Sequence, residues 1–141
     1  MEERRKNVPT SIAVRAIITN GENKVLLTKR NPADYEGGKW CLPGGKPNKD
    51  EDVALAAERE LREEVGLQTA LTYYKEIENP NTSTGSRWVT HYFIGLSDVI
   101  PTDLQEEEIS EVGYFSKDEV EQLDIAFDHK MVLTEFFNQP S

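Results

Sequence analysis

The stretch "LPGGKPNKDEDVALAAERELREEVGL", from Leu42 to Leu67, contains the signals that decide the fold. Asp52 is a favourable N-cap residue. The apolar residues that follow recur at helical spacing: Val53, Ala56, Ala57, Leu61 and Val65. Gly66 stands where a left-handed C-cap is expected. The stretch therefore predicts an amphipathic helix that begins near Asp52 and ends before Gly66, with a Gly-Gly turn in front of it.

The segments on both sides of this helix predict strands and two further helices. The predicted strands cover residues 11–20, 24–30, 71–78, 87–96 and 112–115, and the Asn-Gly pair at 20–21 predicts a hairpin between the first two. Residues 31–39, 79–86 and 102–111 are predicted loops. A capping-box pattern at Ser116 opens a short helix. Residues 128–138 predict a final helix whose inward residues are Met131, Val132, Phe136 and Leu133.

The order of these elements narrows the fold class. Because a hairpin precedes the first helix, the chain cannot form a purely parallel, doubly wound sheet. A mixed sheet covered by helices on both faces buries all the apolar surfaces. We therefore predict an α/β fold of the α+β type.

Length and composition limit the possible classes of protein. The 141 residues fit one domain with a hydrophobic core, so we expect a single domain over 1–141, with 1–9 as a flexible N-terminal segment. The net charge of −10 argues against nonspecific binding to nucleic acid or to an anionic membrane. No apolar run approaches the ~20 residues of a membrane span, and no signal-peptide pattern is present, so we expect a cytoplasmic protein. Cys41 is the single cysteine, which excludes an internal disulfide.

Three glutamates share one face of the predicted helix, because Glu60 precedes Glu63 and Glu64 by three and four residues. Like charges at this spacing destabilise a helix, and a cation bound between them would reverse the effect. Carboxylate oxygens suit Mg²⁺ or Mn²⁺, whereas a zinc site would need His or Cys, which the cluster lacks. A solvated acidic face is the alternative. Arg59 and Glu51 bracket the cluster, and an ion pair between them would fix the preceding loop.

The spacing of these residues resembles the signature of the Nudix hydrolase superfamily, G-x5-E-x7-R-E-U-x-E-E-x-G-U, in which U is aliphatic. Every fixed position is matched from Gly45 to Leu67, and the order of the other elements fits over nearly the whole chain. The resemblance implies an α/β/α sandwich around a mixed parallel/antiparallel sheet. It also implies a hydrolase of phosphoric anhydride bonds that uses a divalent cation, Mg²⁺ or alternatively Mn²⁺.

Site residues are carried over from the resemblance position by position. The implied metal ligands are Glu60, Glu63, Glu64 and the carbonyl of Gly44. Arg59 is implied to support catalysis by orienting the ligand helix. The remaining box residues would have structural roles: Gly45, Glu51 and Gly66.

A base must take the proton of the attacking water. Similar enzymes carry this base either on the box helix, where Glu60 is the candidate, or on a later acidic loop. In the loop "QEEEISE" we favour Glu108. Its competitors are Glu106, Glu107 and Glu111, and a solvated acidic loop is the alternative for all four.

Two further residues are candidates for binding the substrate. Several relatives carry an arginine at the end of the second strand that contacts the nucleotide or its phosphate, which makes Arg30 a candidate against the alternative of a surface arginine. Trp88 and Tyr92 would share a strand face and form part of a base-stacking wall, although core packing is the favoured interpretation.

The resemblance implies a small-molecule nucleotide as the partner. The net charge of −10 argues against nucleic acid and against a membrane as partners. Our first choice of substrate is a nucleoside diphosphate derivative such as ADP-ribose. The alternative is a (deoxy)nucleoside triphosphate cleaved to the monophosphate and pyrophosphate. A sensor that binds a nucleotide without cleaving it is disfavoured, because no box residue is lost. Relatives are often dimers, so the protein is expected to be a monomer or a homodimer.

Overall fold

The computed structural model describes residues 10–81 and 86–139, which form one sheet with helices on both faces. The strands are β1 (Thr10–Thr19), β2 (Val25–Arg30), β3 (Trp40–Cys41), β4 (Gly44–Gly45), β5 (Thr72–Asn81), β6 (Ser86–Leu96) and β7 (Ile109–Phe115). The helices are α1 (Val53–Val65), α2 (Lys117–Gln122) and α3 (His129–Phe137). The predicted N-terminal segment 1–9 lies outside the described residues, as do residues 82–85 of a predicted loop. Within the described ranges, no helix has the length and apolar character needed to span a bilayer.

The sheet has the strand order β3-β2-β1-β6-β5, with β4 paired to β1 and β7 paired to β2. β1 pairs in parallel with β6 over the whole length of β1, whereas the other strand pairs are antiparallel. The β1–β2 hairpin turns at Asn20, whose side chain accepts hydrogen bonds from the N–H groups of Glu22 and Lys24 at 3.0 Å. The mixed parallel/antiparallel sheet predicted from the sequence is therefore confirmed.

Helix α1 has the ends that its sequence predicts. The Asp52 side chain accepts a hydrogen bond from the Ala54 N–H at 3.2 Å. Gly66 is left-handed, with a φ of 68°, and its N–H donates to the Arg62 carbonyl at 2.9 Å. An N-cap of this kind stabilises a helix by about 1 kcal/mol. The two caps fix where α1 begins and ends, and therefore which residues it presents to the sheet.

The sheet separates two apolar cores. The core between the sheet and α1 contains, among others, Ala16, Ile18, Leu26, Leu61 and Val65. The core on the opposite face, under α2 and α3, contains among others Ile17, Leu27, Tyr92, Val132 and Leu133. Neighbouring residues of β1 and β2 contribute to different cores because strand side chains alternate between faces. The architecture is the α/β/α sandwich that the resemblance implied.

Two strands are longer than predicted, and in both cases the extension depends on a partner strand. β7 begins at Ile109 rather than Val112, because Ile109 pairs with Arg30 across a register shift in the β2–β7 ladder. β5 continues to Asn81 rather than ending at Glu78, because its last residues pair with the first residues of β6. Both extensions come from pairing with another strand of the sheet. Strand propensity is a property of one segment alone, so it could not predict them.

The orientation of Met131 in α3 was predicted wrongly. Its side chain is 55% exposed, whereas Val132 and Leu133 are buried and Phe136 packs against the core. The buried stripe of α3 begins at His129, which is 3% exposed. Positions 129, 132, 133 and 136 have the i, i+3, i+4, i+7 spacing of one helix face, and position 131 lies outside that stripe.

This orientation predicts unequal effects of two neighbouring substitutions. Leu133→Ala should lower the free energy of unfolding by about 2–5 kcal/mol, because it leaves a cavity under α3. Met131→Ala should change it by less than about 1 kcal/mol, because that side chain is already half in solvent. Urea unfolding followed by circular dichroism measures both values. Equal losses in the two variants would contradict this orientation of α3, because they would mean that Met131 is as buried as Leu133.

Candidate active site

A single guanidinium, that of Arg59 on α1, holds both the loop before the helix and two of the helix glutamates. Its Nε and Nη2 donate to the two carboxylate oxygens of Glu51 at 2.9 and 3.0 Å, and Nη2 also donates to the Lys46 carbonyl at 3.1 Å. Its Nη1 donates to Glu60 at 2.7 Å and to Glu63 at 2.8 Å. The expected ion pair between Arg59 and Glu51 is therefore present as a two-pronged contact, and it fastens the loop to the helix.

Arg59 also offsets the repulsion among the carboxylates around it. Its hydrogen bond to Glu51 raises the pKa of Arg59 and lowers the pKa of Glu51. Burial raises the pKa of Glu60 against the opposing effect of Arg59, and the charges of Glu63 and Glu108 raise it further. The side chains of Arg59 and Glu60 are 16% and 15% exposed, whereas that of Glu63 is 50% exposed. Arg59 and Glu60 are thus shielded from solvent, whereas the side chains of an ordinary solvated acidic face would be exposed.

Glu64 is the buried member of the cluster, at 7% exposed. Its Oε1 accepts a hydrogen bond from the Gly44 N–H at 2.9 Å. Burial raises the pKa of Glu64 to about 8. Arg15 and the Gly44 N–H oppose this rise, and the charges of Glu60 and Glu108 add to it. An ionised carboxylate in this position is unfavourable unless a cation compensates its charge.

The Gly-Gly pair allows α1 to lie against β1. A Cβ atom on Gly45 would overlap the Glu60 carboxylate, and one on Gly44 would overlap the Val14 carbonyl. The pairing of β4 with β1 places Gly45 opposite Val14 and Gly44 opposite Arg15. Both positions therefore require glycine, because any side chain would prevent this close approach.

The donor set fits a hard divalent cation. Four carboxylates act on one another here, those of Glu60, Glu63, Glu64 and Glu108, and oxygen ligands of this kind suit Mg²⁺ and Mn²⁺. Across residues 10–81 and 86–139, no three acidic, imidazole or thiol groups are already grouped as a metal site. Arg59 holds Glu60 and Glu63, and Gly44 holds Glu64. Metal binding by these glutamates and by the Gly44 carbonyl stays a prediction.

The structure distinguishes Glu108 from one of its competitors in the acidic loop, Glu111. The Glu108 carboxylate raises the pKa of both Glu60 and Glu64, after the larger effect of burial. Glu111 instead forms an ion pair with a lysine of β2 at 3.3 Å. The turn that carries Glu108 is tied to α1, because the Gln105 N–H donates to the Glu64 carbonyl at 2.9 Å. This placement favours Glu108 as the base, and its role stays a prediction.

The predicted substrate-binding residues have different surroundings. A backbone carbonyl accepts a hydrogen bond from Arg30 Nε at 2.8 Å, and the Arg30 guanidinium lies 5.0 Å from the centroid of the Phe127 ring. Trp88 is 37% exposed, so core packing, the favoured interpretation, was wrong for this residue. The Lys46 ammonium lies 5.1 Å from its ring. Tyr92 is buried in the core, as the favoured interpretation expected. Trp88 therefore borders the loop that leads into α1, whereas Tyr92 is closed off from solvent.

Sequence reasoning missed three residues that the structure brings together: Arg15, Tyr35 and Phe127. The Arg15 guanidinium lies 5.3 Å from the Phe127 ring centroid, and the Tyr35 and Phe127 centroids are 6.4 Å apart. One signal was present, because Arg15 is the only charged residue in the strand "TSIAVRAIIT". The contacts with Phe127 depend on tertiary packing and could not be read from the sequence.

Comparisons with known proteins identify a family model that matches the chain and several relatives that it resembles. The family model described as NUDIX domain matches residues 9–136. The chain is 30% identical over 131 residues to an ADP-ribose pyrophosphatase of Methanocaldococcus jannaschii, an alignment that covers 89% of this chain and 72% of that protein. It is 26% identical over 144 residues to an RNA pyrophosphohydrolase of Pelagibacter ubique, covering 90% and 89% of the two chains. A solved MutT NUDIX hydrolase structure from Burkholderia pseudomallei has a TM-score of 0.76 at 25% identity, covering 89% of this chain and 96% of that one.

The raised pKa of Glu64 predicts how stability depends on pH in the metal-free protein. The folded state holds a proton on Glu64 that the unfolded state releases near its ordinary pKa of about 4.3. The contribution of Glu64 to the free energy of unfolding is therefore fully present below the unfolded-state pKa of about 4.3. It is lost as the pH rises through the folded-state pKa of about 8. Glu64→Gln keeps a hydrogen-bond acceptor for Gly44 but cannot ionise. We expect it to be more stable than the wild type at pH 8 by a few kcal/mol, and to lack most of the decline between pH 5 and 8.

Glu63→Gln is the matched control, because it removes the same charge from a side chain that is half exposed. Urea unfolding at several pH values in EDTA should give this variant the wild-type slope. If the Glu64→Gln and Glu63→Gln curves run parallel to the wild type, Glu64 is not protonated in the folded protein near neutral pH.

Proposed function

The chain belongs to the NUDIX domain family, and from that premise we propose that it hydrolyses the diphosphate of a nucleoside diphosphate derivative similar to ADP-ribose. One observation carries the proposal: four carboxylates, including one that is buried, act on one another beside the Gly-Gly turn. A diphosphate is itself anionic, so this cluster can receive it only together with cations. The likeness to an ADP-ribose pyrophosphatase over 89% of the chain supports a nucleotide sugar as the substrate class.

Glu60, Glu63 and Glu64 would hold the divalent cation, with the Gly44 carbonyl as a further oxygen ligand. When bound, such an ion neutralises phosphate oxygens and makes a water molecule more acidic. Mg²⁺ is the proposed ion and Mn²⁺ the alternative. A cytoplasmic location and a monomeric or homodimeric state stay predictions.

The remaining residues position these groups and move the proton. Glu108, at the turn tied to α1, would accept the proton of the attacking water. Arg59 keeps the helix glutamates in place and joins them through Glu51 to the preceding loop. Gly45 leaves the space in which the Glu60 carboxylate sits. In this arrangement Arg59, Glu51 and Gly45 act through the carboxylates that they position.

The proposal predicts hydrolysis that depends on a divalent cation. The purified protein should cleave at least one member of a panel with Mg²⁺ or Mn²⁺ and none with EDTA. The panel contains ADP-ribose, other nucleoside diphosphate sugars, natural and oxidised nucleoside triphosphates, and RNA with a 5′ triphosphate. Chromatography of the products separates the classes, because ADP-ribose gives AMP and ribose 5-phosphate, whereas a nucleoside triphosphate gives a monophosphate and pyrophosphate. If no member is turned over, the protein is not a pyrophosphohydrolase of these substrates, and the sensor interpretation replaces this one.

Substitutions within the acidic residues test the individual roles. Glu63→Gln should lower kcat by about 100-fold or more, because it removes a carboxylate ligand of the proposed cation, which is the group that would stabilise the charge of the transition state. Glu108→Gln should lower kcat by about 10²- to 10⁴-fold if Glu108 is the base. Glu106→Gln and Glu107→Gln are the matched controls, because they change the same side chain in the same turn. Full activity in all three loop variants would place the base elsewhere, with Glu60 as the next candidate.

A further inference from the structure

His129 is a buried titratable residue that the proposed mechanism does not use. It is the first residue of α3 and is 3% exposed. Its Nδ1 accepts a hydrogen bond from the Leu42 N–H at 3.1 Å. Burial lowers the pKa of His129 well below its usual value, and the charges of Arg15 and Arg30 lower it further. The imidazole is therefore neutral, which the role of Nδ1 as an acceptor requires.

Leu42 lies in a break between two strands of only two residues each. β3 ends just before this residue and pairs with β2, whereas β4 begins two residues after it and pairs with β1. Leu42 supplies the backbone donor of the break, because the next residue, Pro43, has no N–H. In a continuous sheet a neighbouring strand would accept this hydrogen bond. Here the side chain of His129 accepts it, so α3 replaces the missing strand contact.

The other contacts of the break come from β1 and bind its carbonyl groups. Arg15 Nη1 donates to the Leu42 carbonyl at 2.9 Å. The Ala16 N–H donates to the Pro43 carbonyl at 2.9 Å. His129 therefore supplies the contact to the N–H side of the break, and it does so from the face of the sheet opposite α1.

A displacement of Leu42 would be passed on to Gly44. The two residues are separated by Pro43, whose ring fixes its φ and whose side chain is fully buried. The Gly44 N–H donates to Glu64 Oε1 at 2.9 Å, and the Gly44 carbonyl is a predicted ligand of the cation. The hydrogen bond of His129 can therefore act on the acidic cluster through two peptide units, although α3 lies on the other face of the sheet.

We propose that His129 is a positioning residue for the cation site: its Nδ1 holds the Leu42 N–H, and this keeps Gly44 against Glu64 with its carbonyl in place for the cation. This inference rests on the proposed function, since it needs the Gly44 carbonyl as a ligand. His129 itself contacts neither the cation nor the substrate. Removing a group that orients a metal ligand in this indirect way typically weakens metal binding by about 10- to 100-fold.

Two substitutions separate the hydrogen bond of His129 from its packing. His129→Asn keeps an acceptor, because Asn Oδ1 is as many bonds from Cα as His Nδ1, but it removes the ring. His129→Phe removes the acceptor but keeps a ring against Tyr92 and Phe127, whose centroids lie 6.2 and 5.2 Å from that of His129. A positioning role and a packing role therefore predict opposite orders of metal affinity for the two variants.

Mn²⁺ binding by the full chain measures this order without turnover, through the electron paramagnetic resonance signal of free Mn²⁺. We expect His129→Phe to weaken Mn²⁺ binding about tenfold or more, and His129→Asn to stay within about threefold of the wild type. Hydrogen exchange of the Gly44 amide, followed by NMR in EDTA, gives a second readout. It should be faster in His129→Phe than in His129→Asn, because only the first variant loosens the contact with Glu64.

Leu133→Ala is the matched control, because it removes packing under α3 and leaves the His129 acceptor in place. This variant should bind Mn²⁺ as tightly as the wild type, although it is less stable. Circular dichroism defines a temperature at which every variant is folded, and all titrations are made at that temperature.

The outcomes separate this inference from the proposed function. If the substrate panel is cleaved but all variants bind Mn²⁺ as the wild type does, the positioning role is overturned and the hydrolase activity stands. Binding in His129→Asn that is as weak as in His129→Phe, or weaker, indicates packing and also overturns the role. The expected order in a protein that cleaves nothing retains the role and overturns the activity. If the wild type binds no Mn²⁺, the proposed cation ligands and the positioning role are both overturned.

Discussion

The structure around the box depends on one cation among several anions. Arg59 is only 16% exposed and donates hydrogen bonds to Glu51, Glu60 and Glu63, so three carboxylates share a single guanidinium. Hydrogen bonds of this charged type are stronger than neutral ones, and they let a short loop and a helix with adjacent glutamates fold against each other. The arrangement still leaves an excess of negative charge, because one positive group cannot neutralise three. That excess is the charge that the proposed divalent cation would neutralise.

Glu64 adds a different constraint, which acts through the sheet. Its carboxylate is buried against the Gly44 N–H, and Gly44 lies directly beside β1 because no Cβ intervenes. The position of α1 is therefore fixed by backbone contact with β4 and β1 as well as by the apolar residues beneath it. Since β1 also carries Arg15, one short backbone segment separates the buried carboxyl group of Glu64 from a half-buried guanidinium. The chemistry of the site thus follows from the register between two strands.

Local signals predicted most of the fold. The caps of α1 at Asp52 and Gly66 and the hairpin at Asn20 are encoded within a few residues of where they act, and all three are present. The errors occurred where distant residues decide the outcome, as in the pairing of Ile109 with β2 and the orientation of Met131. For the site, the helical spacing correctly predicted that Glu60 and Glu63 are neighbours. It could not report that Arg59 holds both of them, because rotamers depend on the tertiary environment.

The arginines held by carboxylates and the arginines held by backbone carbonyls differ in whether their charge is compensated. A net charge of −10 repels nucleotides at long range, and the repulsion must be reversed locally for binding to occur. Arg59 cannot contribute, because its hydrogen bonds to Glu51, Glu60 and Glu63 occupy the guanidinium. Arg15 and Arg30 are held by backbone carbonyls, which fix their position and leave their charge uncompensated by a carboxylate among the described residues. An arginine held by neutral partners keeps a fixed position and an available charge, and an anionic substrate such as the proposed one would require both properties.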